Sequence, residues 1–355
     1  MKKTNIKLAD IAKICGVSTA TVSLVLSDNP RISKETKKKV LEVIKRLGYY
    51  PNISARTLST DTTKTLCVVL PQIPHVFSDP FFGEALSGVY DYASKNGYRI
   101  LFEVATYEFC FYKRYLQLFK ERSIDGMLYI GSTLNDTYLV DIEREGYPFI
   151  LVGSYFPDGK GPQLSYVIGD NVKGGYLATK HLINLGHRRI AFITGHFKVI
   201  SARDRFLGYK QALKEAGIQL DKSLIVKADF DEQTGYQAMR KLFDRFGNKV
   251  GKEDGFTAVF AGNDLMALGA IRAIKEKGLK VPEDVAVVGM DNIRMSSIGE
   301  SPLTTVEYNV YQMGKIACQK IIEQIEKKSV YQIKEVLPVK LIIRNTCGAK
   351  SLKNV

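Results

Sequence analysis

From Leu66 onward the chain alternates short apolar runs with longer segments of helical period, and that alternation restricts the fold to parallel α/β layers. Leu66-Cys67-Val68-Val69-Leu70 is apolar at every position, the pattern of a strand covered on both faces. Strand patterns recur at 99–104, 126–130, 148–152, 189–194, 224–228, 258–261 and 285–290. Helix patterns lie between them, at 82–96, 112–122, 134–145, 173–185, 203–216, 232–246 and 264–277. Strands joined through helices pair in parallel with right-handed crossovers. These units are too many for one convenient sheet, so the pattern predicts two α/β lobes. The first is read as 65–168 plus about 300–332, the second as 169–299 plus about 333–347, with a polar tail over 348–355.

The first 51 residues have a different texture, purely helical. A helix pattern from Leu8 to Cys15 is followed by Gly16-Val17-Ser18 and a second helix pattern from Thr19 to Leu26. Gly16 permits the tight turn, and the Ser18 hydroxyl suits the cap of the second helix. Ala12, Val17, Val22 and Val25 are placed to pack the helices together, leaving Thr19, Ala20 and Ser23 outside. That is helix-turn-helix geometry, whose second helix enters a DNA major groove. Ser33 is expected to cap a third helix, Lys34 to Leu47, with Val40, Val43, Ile44 and Leu47 as its buried stripe and Gly48 as its stop. Residues 52–64 read as a short hinge helix and linker, too brief to be stable alone.

Charge points the same way. Residues 1–60 hold 12 Lys and Arg against 4 Asp and Glu, a net +8 out of +14 for the chain, leaving +6 for the other 295 residues. A basic excess concentrated in a small head suits phosphate contact, although a merely solvated basic face has the same composition. An apolar fraction of 45% and a charged fraction of 25% are ordinary for a globular protein. No apolar run reaches membrane-spanning length, and Asp10 and Lys13 interrupt any signal-like core, so a cytoplasmic chain without a membrane partner is expected. The five cysteines (Cys15, Cys67, Cys110, Cys318, Cys347) and four histidines show neither CxxC pairs nor metal-ligand spacing. Reduced thiols and no metal or other cofactor are the expectation. No G-x-S-x-G elbow, phosphate loop or H-E-x-x-H occurs, so the chain does not read as an enzyme.

Ligands of open α/β sheets bind beyond the carboxyl ends of strands. The polar and aromatic residues there are Asp79-Pro80-Phe81-Phe82, Arg203-Asp204-Arg205, Asp229-Phe230, Gly262-Asn263-Asp264 and Met290-Asp291-Asn292. Arginine, asparagine and aspartate suit bidentate bonds to vicinal hydroxyls, and aromatic rings stack on the apolar face of a sugar or base. Several of these positions, Asp79 and Asp264 among them, are also where helix caps belong.

The segments GVSTATVSLVLS, GYYPNISARTL, DPFFGEALSG, DNVKGGYLATKHLINLGHRRIAFITG, RDRFLGY and NDLMALGAIRAIKEKGLKVPEDVAVVGMDN, followed by SPLTTV, together resemble the LacI/GalR family of bacterial transcriptional regulators over essentially the whole chain. The resemblance implies an α/β protein with a small all-α helix-turn-helix head and a two-lobed core of parallel sheets like that of periplasmic sugar-binding proteins. It implies homodimers, sometimes tetramers, on a pseudo-palindromic double-stranded operator, controlled by a small-molecule effector, in the first instance a sugar. By the same resemblance Thr19 and Ala20 read base edges, and Ser18, Thr21 and Ser23 face phosphates. Asn52 to Leu58 match the hinge helix, in which Asn52 and Arg56 join the DNA contacts and Leu58 is the minor-groove wedge. Phe82, Arg205, Phe230, Asn263 and Asp291 match effector-pocket positions.

Three departures stand out. Leu24 occupies a place where many members carry a base-contacting arginine, and Lys7 replaces the threonine that caps the first helix. The run Tyr107-Glu108-Phe109-Cys110-Phe111-Tyr112 stands where a polar loop and helix start are expected. It reads as a pocket mouth or as a dimer patch, and exposed aromatics favour the patch. A second functional reading is a global catabolite-type regulator co-regulated by a phosphocarrier protein.

Overall fold

The computed structural model describes residues 6–26, 29–49, 62–159 and 161–349. Contacts divide the chain into two units, Met1–Thr63 and Lys64–Val355. The first unit contains α1 (Leu8–Cys15), α2 (Thr19–Leu26) and α3 (Lys34–Leu47). They close over Ile11, Ala12, Cys15, Val22, Val25, Val40 and Val43, all buried. The Ser33 side chain accepts from the Thr36 backbone at the start of α3, and Gly48, left-handed at φ 59°, ends it.

In the second unit the amino-terminal lobe runs through β1 (Thr65–Pro71), α4 (Pro80–Lys95), β2 (Arg99–Ala105), α5 (Tyr107–Phe111), α6 (Arg114–Lys120), β3 (Gly126–Ile130), α7 (Val140–Glu145), β4 (Phe149–Val152) and β5 (Ser165–Gly169). The carboxyl-terminal lobe follows with α8 (Asn171–Asn184), β6 (Ile190–Thr194), α9 (Ile200–Glu215), β7 (Ile225–Lys227), α10 (Glu232–Phe246), β8 (Ala258–Ala261), α11 (Asp264–Glu276) and β9 (Ala286–Val288). The chain finishes with β10 (Thr305–Glu307), α12 (Val310–Lys327), β11 (Lys334–Leu337) and β12 (Lys340–Ile342). One six-stranded sheet has the order β2-β1-β3-β4-β5-β11 and a four-stranded sheet the order β7-β6-β8-β9; every pairing in both is parallel. Their central strands are buried on both faces, which is why they read as unbroken apolar runs.

The lobes are linked where β5 leads into α8, where β10 leads into α12, and where β11 leads into β12. β10 and β12 pair antiparallel, Thr305 opposite Ile342. Met290, Val306 and Tyr308 belong to one apolar cluster that holds residues of both lobes, so the hinge is packed rather than loose. Several expectations shift. The return to the second lobe, expected near 333, comes after Leu337, because Lys334–Leu337 zips onto Tyr166–Gly169 in the first sheet. The helix expected over 112–122 is shorter, Arg114–Lys120, and starts after Lys113, left-handed at φ 53°, which separates it from the short helix Tyr107–Phe111 before it. The α-helix expected over 134–145 begins only at Val140, after a 3-10 turn at Thr137–Leu139: the Asp136 carboxylate accepts from the Thr133 backbone N–H at 2.6 Å and fixes a turn before it.

Candidate nucleic-acid interface and ligand cleft

The head is assembled by local chemistry. Gly16 sits at φ 65°, a left-handed conformation that lets the chain turn by 103° between α1 and α2. The Ser18 hydroxyl accepts from the Thr21 backbone N–H at 3.0 Å and lies 2.9 Å from the Thr21 hydroxyl. Val22 and Val25 face the head core, while Thr19, Ala20, Ser23 and Leu24 are exposed. At 100° per residue Ala20, Ser23 and Leu24 share the face opposite Val22. This face is small and nearly flat, and Leu24, 37% exposed, gives it an apolar element. The Lys7 side chain offers no acceptor to α1; its carbonyl accepts from the Asp10 backbone N–H at 3.0 Å, and its own backbone N–H donates to Asp10 Oδ2 at 2.8 Å. Asn52, Arg56 and Leu58 lie outside the described residues.

In the core, the centre of the cleft is a buried arginine. α8 and α9 approach so closely that a Cβ on Gly175 would lie 2.2 Å from the Arg205 carbonyl oxygen, and one on Gly208 2.0 Å from that of Val172. This glycine contact seats the first turns of α9 against α8 and aims Arg205 at the hinge. Its Nε donates to Asn171 Oδ1 at 2.9 Å and its Nη2 to Asp291 Oδ1 at 3.0 Å; Nη1 donates to the Gly262 carbonyl. The guanidinium also sits 5.0 Å from the Tyr308 ring centroid. Asn171 in turn donates to the Tyr308 hydroxyl at 2.9 Å. The Arg205 and Asp291 side chains are 4% and 8% exposed, so the pair is desolvated. Burial pushes the Asp291 carboxyl up to about 7 against the opposing pull of Arg205. Asp291 is held at φ 117°, a strained left-handed backbone beside the hinge strand.

The other expected pocket residues divide. Asn263 is a helix cap: its Oδ1 accepts from the Met266 backbone at 2.9 Å, and its Nδ2 donates to the Phe230 carbonyl at 2.8 Å. Through that bond it holds Phe230, at φ 67°, with the ring over Gly195. Phe82 points into the amino-terminal lobe and belongs to its apolar cluster. Its neighbour Phe81 instead lines a cavity of about 370 Å³, together with Glu84, Asp291, Asn292, Arg294 and Tyr311. That volume is within the range of small-ligand sites. Asp264, completely buried, is structural: Thr305 donates its hydroxyl to one oxygen at 2.5 Å and the Ile293 backbone donates to the other at 2.9 Å. Asn171 and Tyr308 were not singled out from sequence. A polar residue just past a strand end, as at Asn171, was the available signal; an aromatic in the hinge carried none. The aromatic run at 107–112 does not line this cavity. Phe109 is buried in the lobe, whereas Tyr107, Phe111 and Tyr112 are 70%, 62% and 64% exposed, with Tyr107 stacked on Phe111 at 5.4 Å.

A helix-turn-helix unit and a two-lobed core with a polar cradle at its hinge define a DNA-binding regulator of the ligand-responsive kind. Residues 7–52 match the family described as bacterial regulatory proteins, lacI family, and residues 179–347 match a periplasmic binding protein-like domain. The chain belongs to the LacI family of bacterial regulatory proteins. It is 34% identical over 321 residues to the HTH-type transcriptional repressor PurR of Aliivibrio salmonicida, covering 90% of this chain and 92% of that protein. Among solved structures it is similar to the transcriptional regulator CelR–cellobiose complex, at 32% identity and TM-score 0.72, covering 96% of this chain and 99% of that one. It is also similar to the lac repressor dimer bound to operator and the anti-inducer ONPF, at 25% identity and TM-score 0.82, covering 97% and 99%.

Proposed function

We propose that this chain is a homodimeric repressor that reads a pseudo-palindromic operator with Thr19 and Ala20 of α2 while Ser18, Thr21 and Ser23 face phosphates, and that a sugar in the interlobe cleft sets its operator affinity. The observation that carries the reading is the desolvated Arg205–Asp291 pair at the hinge, adjoining a cavity lined by both lobes. A guanidinium and a carboxylate side by side match the donors and acceptors of vicinal hydroxyls, and Phe81 offers a ring to that cavity for the sugar's apolar side. The likeness to a cellobiose-bound regulator supports a sugar. Exposed Tyr107, Phe111 and Tyr112 support a self-association surface on the amino-terminal lobe.

The mechanism follows from population shift. A sugar that bridges the lobes favours one lobe arrangement, and the operator favours one as well; each alters the other's affinity by the same factor. In the head, Ser18 and Thr21 hold the amino end of α2 where backbone N–H groups meet a phosphate, and Leu58 wedges the central minor-groove step. The test is a thermal-shift and calorimetric screen of the full chain against neutral mono- and disaccharides. A binding sugar whose affinity falls at least roughly tenfold in Arg205→Ala supports the assignment, and equal affinity in the variant refutes it.

A further inference from the structure

Two hydrogen bonds cross the cleft away from the Arg205 cradle. Tyr155, just after β4 in the amino-terminal lobe, donates its hydroxyl to Asp204 Oδ2 on α9 at 3.0 Å. The Leu134 backbone N–H, after β3, donates to the Lys198 carbonyl, after β6, at 2.9 Å. Both sides are set in advance. In the amino-terminal lobe the Ser132 and Ser154 hydroxyls, at the ends of β3 and β4, lie 2.6 Å apart and are buried. In the carboxyl-terminal lobe the Lys198 backbone donates to His196 Nδ1 at 3.0 Å, and Arg203 Nε donates to the Phe197 carbonyl at 2.6 Å. The loops therefore meet as shaped surfaces rather than as loose ends.

Asp204 is the group that makes this contact consequential. It is 5% exposed, and Tyr155 is the neighbour whose hydroxyl reaches its carboxylate. Arg203 and Arg205 on its own helix act on it through space as opposite charges, and Asp170 as a like one. Burial pushes its carboxyl up to about 6, with the Tyr155 hydrogen bond the largest opposing influence. A carboxylate removed from water needs a donor, and here the donor belongs to the opposite lobe.

We propose that Tyr155 and Asp204 form a clasp across the cleft that sets the balance between closed and open lobes, making them positioning residues for the effector response. With the clasp intact, closure exchanges water on Asp204 for the tyrosine hydroxyl. Without the hydroxyl, closure buries an unpartnered carboxylate, and the open arrangement gains. The consequence for the effector rests on the reading of the cleft above: a ligand that selects one arrangement has an apparent affinity scaled by the fraction already in it. The clasp itself requires neither effector nor operator.

The Leu134 amide reports it directly, because the carbonyl it donates to, that of Lys198, belongs to the other lobe. Hydrogen–deuterium exchange on the full chain, without ligand, compares the parent, Tyr155→Phe, and Tyr155→Phe combined with Asp204→Asn. A hydrogen bond to a charged group corresponds to roughly ten- to hundredfold in such an equilibrium. Exchange at Leu134 is expected to accelerate by about that factor in Tyr155→Phe. It should slow again in the double variant, whose neutral amide is less demanding to bury. Amides within β3 and β4 should stay as protected as in the parent. Unchanged exchange at Leu134 overturns the proposal. So does equal acceleration through β3 and β4, which is loosening of the lobe rather than opening of the cleft, and so does a double variant as fast as Tyr155→Phe alone. None of these results depends on which sugar binds, so a failed effector screen and a failed clasp are told apart.

Discussion

Arg205→Met tests the hinge cradle most sharply because it leaves a buried carboxylate behind. The substitution removes the donors to Asn171, Gly262 and Asp291 while keeping most of the side-chain volume. Breaking one partner of a buried pair lowers stability by about 3–5 kcal/mol. Asp291 can escape part of that penalty by taking up a proton. Burial already holds its carboxyl at about 7, with Arg205 pulling downward, so the variant's value rises further. A folded-state value raised above that of the unfolded chain means that the folded variant binds a proton the unfolded chain has lost. Stability is therefore greatest below the ordinary carboxylate range and is lost as pH rises through the folded-state value, by up to ~1.4 kcal/mol per unit. Urea unfolding followed by circular dichroism at pH 5.5 and pH 8 should show a larger loss, relative to the parent, at pH 8. Adding Asp291→Asn should remove that pH dependence, since asparagine tolerates the left-handed backbone and does not titrate in this range. Identical losses at both pH values would refute the argument, because the carboxylate would then not be what the arginine compensates.

Further tests address separate parts of the molecule. Gly208→Ala places a methyl 2.0 Å from the Val172 carbonyl oxygen, so α9 must shift from α8; a loss of about 1–3 kcal/mol and weaker sugar binding are expected by denaturation and calorimetry. Ser18→Ala removes the cap on α2 and should lower head stability by about 0.5–2 kcal/mol, with a matching loss of operator affinity in an anisotropy titration. Leu24→Arg adds a long donor beside Ala20 and should change the preferred base at one position of each half-site in a selection experiment, with discrimination of about 1–3 kcal/mol. Paired substitution of Tyr107 and Phe111 by serine should shift the sedimentation profile toward monomer; an unchanged profile would exclude that patch as the self-association surface.

Legibility followed the range of the interactions. The head could be read residue by residue because Gly16, Ser18 and Ser33 act within three or four positions of where they stand. The buried strands announced themselves by composition, and Arg205 by its motif. The strands at Ser165–Gly169 and Lys334–Leu337 did not: they pair with each other across the chain, and the second carries Lys334 and Glu335 at a sheet edge. Pairing of that kind is set by topology rather than by local pattern. The same limit applies in the cleft. Arg205 finds Asn171 at a separation of 34 residues, and Asn171 finds Tyr308 at 137, so neither partner could be named before the fold. Phe82 and Phe81 show the finer limit, since adjacent aromatics differ only in which one the helix turns inward. Asn263, expected in the pocket, acts one step back, holding Phe230 through its backbone.

The proposed function requires that occupancy of the cleft and operator binding by the head be coupled through one chain. The most direct measurement is the affinity of the full chain for its selected operator, by fluorescence anisotropy, with and without a saturating sugar identified by calorimetry. It is paired with the affinity for that sugar in the presence and absence of operator. Coupled sites require that the sugar change operator affinity by a factor of roughly 5–150, and that operator change sugar affinity by the same factor. A sugar that binds at the Arg205 cradle yet leaves operator affinity unchanged would contradict it.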